Sequence, residues 1–106
     1  MTNKVVIDED ILGWDVENHM MLKPYAIIIK VGDDPINLPV GSPDDKIAAY
    51  CDRNNCNLFT ADVEFYTDCI KAGIKTIQIT NCGFWEKGQK RIFLVKIVEG
   101  VEGSKI

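Results

Sequence analysis

The chain has 106 residues, of which 46% are hydrophobic and 26% charged, with a formal net charge of −4. Disorder, collagen and coiled coil are excluded for the chain as a whole, and one domain burying about 65% of its unfolded surface is expected. The acidic balance excludes a broadly basic nucleic-acid footprint.

The first residues carry no signal-peptide pattern, and the longest nearly apolar run is far too short to span a bilayer. A cytoplasmic protein with no membrane partner is expected. Residues 4–8, centred on Val5, Val6 and Ile7, read as a buried parallel strand. Residues 11–22 follow with Trp14, Met21 and Leu22 at helical spacing, and Pro24 ends the segment. Residues 25–31 form a second, isoleucine-rich strand, and 32–41 a loop punctuated by Pro35, Pro39 and glycines.

Ser42-Pro43-Asp44-Asp45 reads as a helix start, with Ser42 as cap, Pro43 in the first helical position and Asp45 completing a capping box. Ile47, Tyr50, Cys51 and Asn54 then recur at helical spacing. Residues 57–61 form a third strand. A third helix covers 62–72, with Tyr66, Cys69 and Ile70 on one face and Gly73 as its stop. A fourth strand covers 75–80, Asn81-Cys82-Gly83 turns, and an antiparallel edge strand covers 91–98. Residues 99–106 have few anchors and are expected to fray.

This alternation predicts an α/β three-layer sandwich with a mostly parallel central sheet. The simplest strand order is 2-1-3-4-5, flavodoxin-like, with the last strand antiparallel. Its switch point lies between strands 1 and 3, where ligands bind outside the carboxyl ends of the strands. Cys51, Cys56, Cys69 and Cys82 form no C-x-x-C pair and there is one histidine, His19, so zinc is not expected. All four thiols are read as reduced and mostly buried, with a Cys51–Cys56 bridge as the alternative.

The acids fall at one edge of that sheet. Asp8, Glu9 and Asp10 follow strand 1, Asp62 follows strand 3, Asp44 opens the second helix and Glu64 lies just after Asp62. Each has an ordinary reading: Asp44 and Asp45 suit a helix N-terminus, Asp62 a cap, Asp8 a strand end. Gathered together, like charges raise one another's pKa, and a divalent cation keeps them ionised most cheaply. All-oxygen ligands suit Mg²⁺ or Mn²⁺. A cation held by few carboxylates keeps positions open for a phosphate oxygen and an attacking water, which suits phosphodiester hydrolysis.

At these residues the chain resembles short PIN-like domains. Ile7-Asp8-Glu9-Asp10 is similar to their L-D-E-N start, 41–47 to their G-x-P-D-x-x-I segment, and 58–65 to their L-V-T-x-D-x-D-F segment. Order and spacing match over about residues 4–80. The resemblance implies a metal-dependent ribonuclease, of the kind that can serve as the toxin of a VapC-like toxin–antitoxin pair, with 1–98 as one PIN-like domain and 99–106 as a flexible tail. It implies Asp8, Asp44 and Asp62 as ligands of Mg²⁺ or Mn²⁺, Glu64 as a fourth acid, Thr60 as the group that orients Asp62, and Glu9 as a supporting acid. Glu64 stands where the family usually has Asp, and Asp10 where Asn is common.

Lys87, Lys90 and Arg91, beside Phe84 and Trp85, are the candidates for gripping an RNA backbone and stacking a base. The expected partners are RNA, an antitoxin protein and a second copy of the chain in a homodimer, with Trp14, Phe84 and Trp85 as exposed apolar candidates. Two alternatives stand beside the nuclease. One is a catalytically inactive PIN-like module that binds RNA or protein. The other is a phospho-receiver-like domain using Asp8, Glu9, Asp10, Asp62 and Thr80.

Overall fold

The computed structural model describes residues 3–73 and 75–98. The expected fraying of 99–106 lies outside them. Five strands form one mixed sheet: β1 (Lys4–Ile7), β2 (Ile27–Lys30), β3 (Asn57–Thr60), β4 (Thr76–Trp85) and β5 (Lys90–Val98). Three α-helices accompany them: α1 (Trp14–Glu17), α2 (Asp44–Asn54) and α3 (Val63–Ala72). Both β2 and β3 run parallel to β1, while β5 is antiparallel to β3 and to β4.

The strand order is 2-1-3-5-4, not the expected 2-1-3-4-5. The α/β class, the parallel centre and an antiparallel β5 are as read from sequence, but β5 is interior and β4 takes the edge. The side chains explain the exchange. Ile92, Leu94, Val95 and Ile97 of β5 are buried, so β5 can be covered on both faces. Along β4, Thr76, Gln78, Thr80 and Asn81 are exposed, which suits an edge strand with a solvated side. β4 also runs on through the expected turn: Asn81-Cys82-Gly83 is a bulge at a register shift, with the Gly83 N–H donating to Asn81 Oδ1 at 2.9 Å. The chain reverses later, at 86–89, where the Gln89 N–H donates to the Glu86 carbonyl at 3.2 Å. There the Trp85 ring lies over Gly88 so closely that a Cβ would overlap it.

Successive residues of the strands feed two cores on opposite faces of the sheet. Val6, Leu58 and Val95 pack with Ile47, Cys51, Tyr66 and Ile70 under α2 and α3. Val5, Ile7, Phe59 and Leu94 pack with Ile11, Trp14 and Leu22 on the other face. Helical segments therefore lie on both faces. The segment expected as one helix over 11–22 is three short pieces: 3-10 turns at Glu9–Ile11 and His19–Leu22, with α1 between. Gly13, at φ +109°, and Asn18, at φ −125°, leave the helical region on either side of α1. Trp14 is buried, its ring centroid 4.9 Å from that of Phe59, and so is withdrawn from the exposed candidates. All four cysteines are free, with Cys51 and Cys56 buried. No described helix is long and apolar enough to cross a membrane.

Candidate functional site

The carboxyl ends of β1 and β3 and the start of α2 enclose a cleft of about 280 Å³ lined by Asp8, Glu9, Asp10, Ser42, Asp44 and Asp62. Asp8 continues β1 by one residue, its N–H donating to the Phe59 carbonyl at 3.0 Å. That bond fixes the backbone, and burial to 5% exposure fixes the side chain. A buried carboxylate needs donors. Here they are hydroxyls: Thr60 Oγ1 donates to Asp8 Oδ2 at 2.7 Å, and the Tyr66 hydroxyl lies 2.7 Å from the same oxygen. Thr60, the last residue of β3, also accepts the Asp62 N–H at 3.0 Å. One buried hydroxyl thus ties the end of β1 to the entry of α3.

Asp44 opens α2 after Pro43, which takes the cap position with no side-chain cap. The expected cap, Ser42, instead donates its hydroxyl to the Pro39 carbonyl at 2.6 Å. The first-turn position leaves Asp44 facing α3, where its Oδ1 lies 2.8 Å from the Tyr66 hydroxyl. Asp62, at the start of α3, is exposed and makes no side-chain cap bond. Glu9, also in the cleft lining, accepts the Gly41 N–H at 2.9 Å, tying down the loop that leads into α2. Glu64 is exposed in the first turn of α3 and is not among the residues lining the cleft.

The electrostatics follow from this crowding. The Asp10 carboxyl is pushed up to about 6, first by desolvation and then by the charge of Asp8, with Lys90 opposing. Lys90 reaches back from the hairpin to donate to the Asp10 carbonyl at 3.0 Å. The Tyr66 phenol is held far above the ordinary tyrosine range by burial, and then by its contacts with Asp8 and Asp44.

The other basic candidates separate. Lys87 pairs with Glu17 at 3.3 Å, and Arg91 lies 6.0 Å from the centre of the exposed Phe84 ring. Of the three, Lys90 stands nearest the cleft. Thr80 lies within the edge strand β4, away from the end of a parallel strand beside β3.

The structure therefore brings Asp8, Asp44, Asp62, Glu9 and Thr60 together and leaves Glu64, Lys87 and Arg91 outside. Tyr66 is the member that sequence reading assigned to the apolar face alone. Its signal was its position four residues after Asp62, which returns it to the same side of α3. The carboxylate oxygens that line the open cleft are of the donor type a hard divalent cation takes. Among the described residues no three acid, histidine or cysteine side chains stand together as a ready-made metal cage. Comparison of the chain with protein-family models, with curated proteins and with solved structures finds no match.

Proposed function

We propose that this chain is a PIN-like ribonuclease that hydrolyses RNA phosphodiester bonds with Mg²⁺ or Mn²⁺ in the acid cleft. The observation that carries the reading is the meeting of Asp8, Asp44 and Asp62, from three separate segments, around one cleft at the switch point of the sheet. Asp8 and Asp44 would hold the cation with Asp62, whose exposed side chain has room to turn inward. When bound, the cation supplies a Lewis acid that offsets phosphate charge and lowers the pKa of water.

The chain's own groups do the rest. Thr60 and Tyr66 hold Asp8 in one orientation, and Glu9 fixes the loop before α2. A carboxylate of the cleft accepts the proton of the attacking water, and Lys90 at the rim attracts the RNA backbone. A net charge of −4 repels RNA, so substrate approach depends on a neutralised cleft. The test is a panel of fluorescent single-stranded RNAs with Mn²⁺. Cleavage should disappear with EDTA and in Asp62→Asn; cleavage that survives both would belong to a contaminant.

The same reading includes the toxin role, an antitoxin partner and a homodimer. Ile36, Val40 and Phe84, exposed at 87%, 73% and 50%, are apolar surface that a protein partner would cover. A sedimentation mass equal to that of the monomer at micromolar concentration would count against the homodimer. A second reading, a PIN-like module that binds RNA or protein without cleaving it, is favoured by the position of Glu64 outside the cleft and by the lack of a ready-made metal cage among the described residues. Saturable Mn²⁺ binding without cleavage of any RNA would select it.

A further inference from the structure

The sheet has two edges, β2 and β4, and they are built differently. β4 shows Thr76, Gln78 and Thr80 to solvent and is interrupted by the bulge between Asn81 and Phe84, features that discourage pairing with another chain. β2 has neither: Ile27 and Ile28 are exposed at 48% and 40% along it, an apolar edge open to a further strand. Its ladder alternates. The Ile27 N–H donates to the Asn3 carbonyl at 3.2 Å and the Val31 N–H to the Ile7 carbonyl at 3.2 Å, so Ile27, Ile29 and Val31 bond toward β1 while Ile28 and Lys30 turn outward. The turn after β2 takes both backbone groups of Lys30: its N–H donates to Asp33 Oδ2 at 2.9 Å and its carbonyl accepts the Asp33 N–H at 2.8 Å. The outward N–H and carbonyl of Ile28 are the pair that β2 still offers.

We infer that β2 is a self-pairing edge: a second copy of this chain docks antiparallel on it across a twofold axis at Ile28, joining two five-stranded sheets into one. A residue on a twofold axis meets its own copy, and the two residues of an antiparallel hydrogen-bonded pair exchange both N–H···O bonds. Ile28 presents that N–H and that carbonyl. The same axis sets Ile27 against Ile29 of the second copy and Ala26 against Lys30, so no like charges meet. Beyond the strand it turns the exposed Lys23 of each copy toward the exposed Asp33 of the other, opposite charges at both ends. α1 adds apolar surface beside the same strand: Lys30 Nζ pairs with Asp15 at 3.2 Å, and Val16, next along, is exposed. A strand from an unrelated chain would have to match this pattern, whereas the second copy carries it. The pairing gives a face to the homodimer of the reading above and rests on that part of the reading alone.

The test is sedimentation equilibrium of the wild type, Ile28→Lys and the control Ile79→Lys, which places the same change on the other edge. The wild type and the control should approach twice the monomer mass at micromolar concentration. Ile28→Lys sets two ammonium groups against each other at the axis and should associate at least about tenfold more weakly. A wild type that dimerises and an Ile28→Lys that dimerises equally well overturn the inference and leave the homodimer standing. A wild type that stays monomeric overturns both. A mass that keeps rising past the dimer also overturns the inference, because a twofold contact closes.

Should Ile28→Lys fail to fold, Ile28→Cys and Ile79→Cys are each treated with diamide, with the wild type as the blank for its own four cysteines. Paired Cα atoms in a hydrogen-bonded antiparallel pair lie about 5.5 Å apart, within disulfide reach. Ile28→Cys should therefore be trapped as a covalent dimer and Ile79→Cys should not. Equal trapping of the two, or no trapping of Ile28→Cys above the blank, overturns the inference.

Discussion

The Thr60 hydroxyl donates to Asp8 Oδ2 at 2.7 Å and accepts the Asp62 N–H at 3.0 Å, so one side chain joins the ends of two parallel strands to the start of a helix. Thr60 has no exposed surface. Its hydroxyl is therefore not exchangeable for water: removing it leaves a buried carboxylate and a backbone donor each short of a partner. Thr60→Val, which keeps the shape of the side chain, is expected to cost about 1–3 kcal/mol in urea unfolding. A cost below about 0.5 kcal/mol would mean that water replaces both bonds.

Asp44→Asn should have the opposite sign in metal-free buffer. In the wild type two carboxylates compete for one phenolic proton at Tyr66. The side-chain amide that this substitution introduces donates to the phenol oxygen and frees the phenolic proton for Asp8. A gain of about 0.5–1 kcal/mol is expected from the hydrogen bond so completed. A loss of stability in EDTA would show that the Asp44 charge supports the fold, through the start of α2 for instance.

Asp10 gives the cleft a pH dependence whose sign can be worked out. Its carboxyl is held at about 6 in the folded chain, against 3.8 for a free aspartate. Folding therefore favours the protonated form. Its contribution to stability is full below pH 3.8 and is lost as pH rises through about 6. In EDTA, Asp10→Asn should exceed the wild type by about 1 kcal/mol near neutral pH, after discounting for solvent screening. That advantage should vanish by about pH 4. A difference that does not change between the two pH values would detach it from the Asp10 charge.

Much of the scaffold was legible because its signals are local. Val5-Val6-Ile7 and Leu58-Phe59 are apolar runs of strand length, Gly73 caps α3, and 47–51 repeat at helical spacing along α2. The strand order was not legible from alternation alone. Placing β5 in the interior depends on comparing its nearly continuous apolar run with the alternating pattern of β4, a contrast present in the residues but silent about pairing. The first helix misled because Trp14 and Leu22 keep helical spacing while Gly13 and Asn18 interrupt the backbone.

At the site, the acids were visible as residues that end strands and open helices. Their spacing suggested convergence, but could not show which oxygens are already bonded. Tyr66 was hidden for a physical reason. Its ring obeys the apolar pattern of α3, and only its terminal oxygen, at the end of that apolar ring, meets Asp8 and Asp44. Glu64 follows Asp62 by two residues, an offset that does not return to the same side of a helix, and it does not line the cleft.

Calorimetric titration of Mn²⁺ into the metal-free wild type and Asp8→Asn, followed by thermal unfolding of each with and without the ion, tests the metal site most directly. The wild type should bind saturably, and unfolding should be displaced by about 2.7 kcal/mol at a hundredfold excess over the dissociation constant. Asp8→Asn should unfold cooperatively, bind much more weakly and show little displacement. No heat and no displacement at millimolar Mn²⁺ in the wild type, or equal binding by a folded Asp8→Asn, would contradict a divalent-cation site built on Asp8.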